Sequence, residues 1–242
     1  VIAVFAAAPS QDTFLQALAD RKDRIAWERV IAFHLDEYSA LPADHPNTFK
    51  AYLAEHIFSR VPIPDKNISY IKDAPENSGG VASWYARLFA EALERVRAGG
   101  GLYVGFLGVG VNGHIGFNEP NTNLEAPESF LEIEIDETSV QQQYDDYKDH
   151  PNPAARYPSL DDVPRGAVTM SVSAILEADA LFCMVPGPQK AEAIRAMMDG
   201  QIGDDVPASL LRLHHDTAVY VDGESARLLR MKPVSVIGGN TD

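Results

Sequence analysis

The densest group of residues able to do chemistry is the segment Gly108–Pro120, which has four glycines among its first nine residues. Glycine lets a backbone approach a ligand closely and leaves amide N–H groups free to bind it. His114 can take up and release a proton, and Glu119 can orient the imidazole and raise its basicity. A glycine-rich turn in which the histidine caps the next helix would use the same residues. The sequence leaves both interpretations open.

Asp36 is the second candidate, because it ends an apolar stretch and is followed directly by a second acid, Glu37. Carboxylates at the end of a strand often do no more than cap a helix. A carboxylate at the carboxyl edge of a parallel sheet, beside a glycine-rich loop, can instead move a hydroxyl proton or a carbon-bound proton. We therefore predict that Asp36 transfers a proton, with helix capping as the alternative.

Lys190 is the best candidate for binding an anion. It follows Gly187 in a predicted strand-to-helix turn, where an ammonium group does not favour the helix dipole and so suggests a ligand. Ser10 and Gln11 open another predicted helix, whose backbone N–H groups and serine hydroxyl could bind the same anion. The glutamine run 141–143 faces either a ligand or solvent.

These residues follow short apolar runs that alternate with helical patterns, which is typical of βαβ units. We predict a single Rossmann-like α/β domain over residues 1–230, with a largely parallel sheet, helices on both faces and a loosely held tail over 231–242. The predicted strands are Val1–Ala7, Val30–Phe33, Ile68–Ile71, Leu102–Leu107, Val168–Ser171, Leu181–Val185 and Ala218–Val221. The predicted helices are Thr13–Ala19, Asn47–Phe58, Val81–Val96, Gln189–Met198 and Ser209–Leu213. A long loop is expected over 144–165, and ligands should bind at the carboxyl ends of the strands.

The composition excludes several classes of partner. The 242 residues include 35 acidic and 20 basic side chains, and a net charge of −15 argues against a nucleic-acid binder. No apolar run approaches the roughly 18 to 20 residues that span a bilayer. The single cysteine, Cys183, rules out a disulfide scaffold and predicts a reducing, cytoplasmic setting. His214 and His215 lack partners at metal-ligand spacing, so we predict no metal site. The sequence leaves a homo-oligomer open.

The segment Asn112–Pro120 resembles the active-site signature of the glucosamine-6-phosphate deaminase/isomerase family. Leu35–Tyr38, with Leu41-Pro42 and His45-Pro46 after it, resembles the second hallmark of that family. The resemblance continues through 187–191 and 211–214, and so covers nearly the whole chain. It implies a Rossmann-like fold and the conversion of an amino-sugar 6-phosphate into fructose 6-phosphate and ammonia, without a cofactor or a metal.

Carried over by motif position, the resemblance also implies residue roles. His114, oriented by Glu119, would open the pyranose ring. Asp36 would then shuttle a proton between C2 and C1 of the open-chain sugar, after which the amine leaves. The residues implied to bind the sugar and its phosphate are Ser10, Gln11, Gly108, Gln143 and Lys190.

Three features depart from the family pattern. The first turn reads Ala7-Ala8-Pro9-Ser10-Gln11, where the family commonly has a Thr-Gly-Gly-Thr-like loop. Asn112, which we keep among the catalytic candidates, stands where deaminases usually have an aspartate, and its amide can form hydrogen bonds but cannot ionise. A substrate-binding arginine of many deaminases falls near Gln143. Two alternatives therefore accompany the deaminase prediction: a 6-phosphogluconolactonase-like hydrolase, which shares the fold, and a catalytically silent sugar-phosphate-binding protein. Intact Asp36, His114 and Glu119 favour an enzyme.

Overall fold

The computed structural model describes residues 1–122 and 124–230. Within these residues the strands are β1 (Ile2–Phe5), β2 (Ile31–His34), β3 (Asp36–Tyr38), β4 (Tyr103–Leu107), β5 (Phe130–Glu134), β6 (Gly166–Met170), β7 (Ala180–Val185) and β8 (Thr217–Val221). The α-helices are α1 (Asp12–Asp20), α2 (Phe49–Leu53), α3 (Val81–Ala98), α4 (Glu137–Tyr147), α5 (Val172–Leu176) and α6 (Ala191–Asp199). A π-helical turn, Ala54–Phe58, continues α2.

Five strands form a parallel sheet in the order β2-β1-β4-β7-β8. The chain therefore moves from β1 to one side for β2 and returns to the other side for β4. Such a reversal of direction opens a crevice at the carboxyl ends of the two central strands. The predicted Rossmann-like α/β fold, with its largely parallel sheet, is confirmed.

Helices cover both faces of this sheet because alternate side chains of a strand point to opposite faces. In β1, Ile2 and Val4 pack in a core with residues of α3 and α6. Their neighbours Ala3 and Phe5 pack in a second core with residues of α1 and α2. All four β1 side chains are buried, which is why this strand is a continuous apolar run.

A second, antiparallel sheet has the order β3-β6-β5 and is joined to the first sheet through the backbone of Leu35. The Leu35 amide donates to the carbonyl of Phe5 in β1, at 2.9 Å, and its carbonyl accepts from the amide of Met170 in β6, at 2.8 Å. The chain thus leaves the parallel sheet and enters the antiparallel sheet without a loop. Asp36 is the first residue after this crossing.

The antiparallel sheet corrects part of the prediction. The strand expected over 168–171 is β6, which runs antiparallel to β3 and β5 rather than joining the parallel sheet. The segment 68–71 makes one bridge, between Ile68 and Ala32, and then turns into a 3₁₀ helix over Ile71–Asp73, so the strand predicted there is wrong. β3 and β5 were not predicted, because both strands contain acidic residues and neither is a continuous apolar run of the kind used to identify the other strands.

Helix α4 also shortens the predicted loop, since it continues to Tyr147. Two 3₁₀ turns, Pro153–Ala155 and Leu160–Asp162, interrupt the remainder of that segment.

None of the helices in the described ranges combines the length and hydrophobicity needed to cross a membrane. Cys183 is buried in β7, and burial raises the pKa of its thiol to about 12. The tail over 231–242 lies outside the described residues, and the cytoplasmic setting stays a prediction.

Candidate active site

A cleft lies at the carboxyl edge of the parallel sheet, at the ends of β1 and β4 where the strand order reverses. Its wall includes small and apolar residues from the ends of β1, β2 and β4. The polar side chains that line it are Ser10, Asp36, His114, Gln142, Gln143 and Lys190. Gly108 contributes backbone to the same wall. The fold therefore gathers most of the predicted site residues in one place.

Asp36 is almost fully buried at the cleft wall, with 6% of its surface exposed. Its carboxylate accepts no hydrogen bond from any other residue that the structure describes. Burial raises the pKa of Asp36 well above its usual range, and the neighbouring charge of Glu37 raises it further. Such a carboxyl group can exchange a proton with a ligand at a pH where an exposed aspartate would stay ionised.

Glu37 faces the other way and anchors helix α2. Its Oε1 accepts from the backbone amides of Tyr38, at 2.9 Å, and Phe49, at 3.1 Å, and its Oε2 accepts from Lys50, at 2.9 Å. Burial raises the pKa of Glu37 to about 7, although these three amide donors oppose the rise. The helix-capping interpretation is therefore correct for Glu37, while Asp36 is left free to face the cleft.

The glycine-rich loop holds His114 by close backbone packing. The Gly110 amide donates to the carbonyl of His114, at 2.9 Å. The imidazole lies directly against Gly110, where an added Cβ would come within 2.2 Å of the ring. Gly113 and Gly116 have φ angles of +87° and +59°, in the left-handed region that favours glycine. The glycines are thus required to bring the histidine to the cleft wall.

Glu119 lies behind His114, away from the cleft lining. Its Oε2 is 3.4 Å from His114 Nδ1, and the hydroxyl of Ser139 lies close to both groups. Burial alone would raise the pKa of Glu119. Hydrogen bonds from His114, Ser139 and Asn112 outweigh that effect, and the pKa is lowered. Glu119 is therefore a carboxylate held in its charged, hydrogen-bond-accepting form beside the histidine.

Asn112 also lies outside the cleft lining, and it ties this group together. Its Nδ2 donates to Glu119 Oε2, at 2.9 Å, and to Asp136 Oδ2, at 3.2 Å, while its Oδ1 accepts from the backbone amide of His114, at 3.1 Å. An aspartate at this position would place a third carboxylate between two others, and like charges at such distances repel strongly. The asparagine is thus matched to the presence of Asp136.

Lys190 is the cationic part of the cleft lining. Its side chain is buried and makes no hydrogen bond or ion pair of 4 Å or less within the described residues. Burial lowers the pKa of Lys190, and the charge of Asp146 partly offsets this effect. Among the lining residues Lys190 is the one lysine or arginine. An anion in the cleft would meet this ammonium group together with Ser10 and the backbone of Gly108.

Gln11 was predicted to bind the ligand, but it lies behind the cleft wall and is not part of the lining. The residue is 1% exposed, and its Nε2 donates to the carbonyls of Leu107, at 3.3 Å, and Met184, at 3.4 Å. These bonds join the ends of β4 and β7. Gln11 thus supports the cleft rather than lining it, whereas Gln143 does line it.

The arginines of the long loop do not replace the missing family arginine in the cleft. Arg165 forms an exposed ion pair with Glu137. Arg156 donates to the carbonyl of His150, at 2.7 Å, also in an exposed position. His214 bonds to Thr217 and to the backbone carbonyl of Ala178.

Sequence reasoning missed Ser139 and Asp136, which join the histidine to helix α4. Asp136 is the N-cap of α4 and accepts from the amide of Ser139, at 2.8 Å. Aspartate is a preferred N-cap residue, because its carboxylate can accept from a backbone amide of the first helical turn. Nothing in that pattern indicates that the serine hydroxyl contacts His114, because the two residues meet only in the folded chain.

Similarity to known proteins agrees with this geometry. Residues 9–127 match the family model described as glucosamine-6-phosphate isomerases/6-phosphogluconolactonase. A protein named glucosamine-6-phosphate deaminase from Oceanobacillus iheyensis is 32% identical over 205 residues, which cover 84% of this chain and 74% of that protein. One of the same name from Thermoanaerobacter sp. (strain X514) is 30% identical over 220 residues, covering 90% and 79%. The chain belongs to this family.

Solved structures also resemble this chain. A monomeric glucosamine-6-phosphate deaminase matches with a TM-score of 0.79 and 27% identity, over 94% of this chain and 87% of that one. The 6-phosphogluconolactonase from Thermotoga maritima matches with a TM-score of 0.66 over 91% and 84% of the two chains. Its 20% identity shows the shared fold alone.

We predict that Asp36→Asn increases the free energy of unfolding at neutral pH, by on the order of 1 kcal/mol. The raised pKa means that folding takes up a proton at Asp36, so the wild type loses stability as pH rises from the unfolded-state pKa through the folded-state value. The asparagine carries no such penalty. Urea unfolding at pH 5 and pH 8 should show a larger gain at pH 8. The exposed Asp44→Asn is the control, and an equal gain there would contradict the prediction.

We also predict that Gly110→Ala destabilises the fold by about 1–3 kcal/mol, because its methyl group overlaps the His114 ring in a packed site. Gly223→Ala is the matched control, since a Cβ there meets nothing within 4 Å. Its effect should stay within about 0.5 kcal/mol. Urea unfolding of both variants makes the measurement, and equal midpoints would show that the imidazole does not rest on Gly110.

Proposed function

We propose that this protein is a cofactor-independent deaminating isomerase that converts glucosamine 6-phosphate and water into fructose 6-phosphate and ammonia. The observation that supports this most strongly is that Asp36 and His114, two groups able to carry protons, line one cleft that also contains the buried ammonium of Lys190. Proton transfer at two places on a phosphorylated sugar needs such a set of groups. The activity named for its relatives is consistent with it.

His114 would open the sugar ring. Its Nδ1 faces Ser139 and Glu119, and its Nε2 has no hydrogen-bond partner among the described residues. In the neutral imidazole an unprotonated Nε2 can accept the proton of the C1 hydroxyl and return a proton to the ring oxygen. The charge of Glu119 stabilises the imidazolium that forms between these two transfers.

Asp36 would carry out the isomerisation. As a carboxylate it removes the proton from C2 of the open-chain sugar, and as a carboxylic acid it delivers a proton to C1. The C2 carbon is then an imine, and attack by water releases ammonia and leaves the C2 carbonyl of fructose 6-phosphate. Catalysis by one group in both forms is most efficient when its pKa is close to the working pH, and burial shifts the pKa of Asp36 in that direction.

The phosphate would be bound by Lys190, Ser10 and backbone amides. The net charge of −15 does not prevent this, because exposed charges beyond about 8 Å are screened at physiological salt. A buried ammonium in the cleft is screened much less. One phosphate group can therefore be held locally, although the surface as a whole would repel an extended polyanion.

The position of Asp36 favours isomerisation over lactone hydrolysis. Hydrolysis of a lactone adds water to a carbonyl and moves no proton bound to carbon. It would leave the buried Asp36 carboxylate, which has no protein hydrogen-bond partner among the described residues, without a chemical role. A silent binding protein would likewise gain nothing from the cost of burying this acid.

The first test is turnover of glucosamine 6-phosphate, with ammonia and fructose 6-phosphate measured together and 6-phosphogluconolactone assayed in parallel. Asp36→Asn should lower turnover and the exchange of the C2 proton with solvent by about 10²–10⁴-fold. Unchanged exchange in Asp36→Asn would refute Asp36 as the base. Lactone hydrolysis without release of ammonia, or thermal stabilisation by sugar phosphates without any turnover, would replace the proposal with one of its alternatives.

The pH profile gives a second prediction. Asp36 removes a proton only when ionised, so kcat/KM should fall as pH is lowered, with a midpoint above 3.8, the ordinary aspartate pKa. Glu37→Gln removes the neighbouring negative charge and should move this midpoint to lower pH. Circular dichroism checks that the variant is folded, because Glu37 also anchors α2. A midpoint at or below 3.8 would count against Asp36 as the base.

Lys190→Met should raise KM for glucosamine 6-phosphate roughly tenfold or more with a smaller change in kcat, because an ammonium–phosphate contact is lost. Unphosphorylated glucosamine, if turned over at high concentration, should show no such difference between the two proteins. Lys148→Met is the matched control, since that lysine is exposed at the C-cap of α4 and paired with Asp145. Equal KM values for Lys190→Met and wild type would place the phosphate elsewhere.

A further inference from the structure

We propose that Ser139 is a positioning residue that fixes the protonation of His114, so that Nδ1 carries a hydrogen and Nε2 is left as the proton acceptor at the cleft. Ser139 is 1% exposed and is not itself part of the cleft lining. The placement of the hydrogen follows from the hydrogen-bond distances and from the ionised state of Glu119. Its kinetic consequence rests on the function proposed above.

The direction of each hydrogen bond follows from what the groups can donate. Glu119 has a lowered pKa and can only accept, so the Ser139 hydroxyl, at 2.5 Å from Oε1, must donate its single hydrogen to that carboxylate. The serine oxygen then offers only a lone pair to His114 Nδ1, at 3.0 Å. Nδ1 must therefore be the donor. In a neutral imidazole this leaves Nε2 without a hydrogen.

The serine contact is closer than the direct contact between histidine and glutamate. His114 Nδ1 lies 3.4 Å from Glu119 Oε2, near the limit of a useful hydrogen bond, against 3.0 Å to the serine oxygen. Glu119 Oε2 also accepts from Asn112 Nδ2 at 2.9 Å, which competes for the same oxygen. Much of the effect of the Glu119 carboxylate on the His114 imidazole is therefore transmitted through the Ser139 hydroxyl.

Helix α4 holds this hydroxyl in place. Ser139 is the third residue of α4, and its amide donates to the N-cap Asp136 at 2.8 Å. Asp136 also accepts from Asn112, at 3.2 Å, so one carboxylate joins the start of the helix to the glycine-rich loop. Farther along α4, Gln142 Oε1 accepts from the amide of Val111 at 3.1 Å. These contacts register α4 against the loop that carries His114.

The decisive measurement is the position of the imidazole hydrogen, read from ¹⁵N chemical shifts of His114 in the ligand-free protein. The wild type should show the form protonated at Nδ1. Ser139→Ala should shift the population towards the form protonated at Nε2, which free histidine prefers, and Ser139→Thr, which keeps a hydroxyl, should restore the wild-type form. Thr138→Ala is the matched control, because it removes an exposed hydroxyl one residue earlier on the same helix.

The kinetic test uses the same three variants. Ser139→Ala should lower kcat for glucosamine 6-phosphate roughly tenfold or more with KM within about twofold, while Ser139→Thr recovers most of the rate and Thr138→Ala matches the wild type. Thermal unfolding confirms that each variant is folded.

Wild-type ¹⁵N shifts and wild-type kcat in Ser139→Ala would overturn the proposal, because the direct contact with Glu119 would then suffice. If Ser139→Ala and Ser139→Thr show the same shift in population, the hydroxyl is not the cause and the proposal also fails. If the wild type itself does not turn over glucosamine 6-phosphate, the proposed function fails. The ¹⁵N measurement still decides the role of Ser139 in that case, because it needs no substrate.

Discussion

The positions of Asp36 and His114 in the cleft both depend on two adjacent residues of β6, Thr169 and Met170. Asp36 pairs with Thr169 in the antiparallel sheet, directly after the chain has crossed between the two sheets. The loop that carries His114 is fixed to the same two residues. Phe117 donates its amide to the Thr169 hydroxyl, at 3.0 Å, and Asn118 donates to the carbonyl of Met170, at 2.8 Å. A shift of β6 by one residue would displace both sides of the cleft.

The alternation of side chains along β3 then gives the two adjacent acids, Asp36 and Glu37, different positions. Successive side chains of β3 point to opposite faces, so Asp36 faces the cleft while Glu37 reaches the start of α2. Within residues 1–122 and 124–230, Glu37 gains three amide donors and Asp36 gains none. The same dipeptide therefore contains a structural carboxylate and a buried acid without a hydrogen-bond partner in that part of the chain. Acids with pKa values shifted by burial cluster at functional sites, and the role proposed for Asp36 rests on this.

Much of this could be predicted from the sequence, because apolar runs and polar strand ends are local features. Asp36, His114 and Lys190 were identified from their positions after such runs, and the structure brings them to one cleft. The antiparallel sheet could not be predicted, since β3 is three residues long and is defined by its pairing with β6. Ser139 was missed for the same reason, because its contacts reach residues 20 and 25 positions away.

The crossing at Leu35 also affects the order in which the parts of the cleft can form during synthesis. Asp36 emerges from the ribosome more than a hundred residues before β6, the strand that pairs with it, and Lys190 follows later still. Long-range pairings of this kind form slowly, because the entropy of loop closure is lost before the stabilising contacts are made. The cleft therefore cannot be completed until β6 and Lys190 have been synthesised, whereas β1, β2 and β4 of the parallel sheet can pair before then.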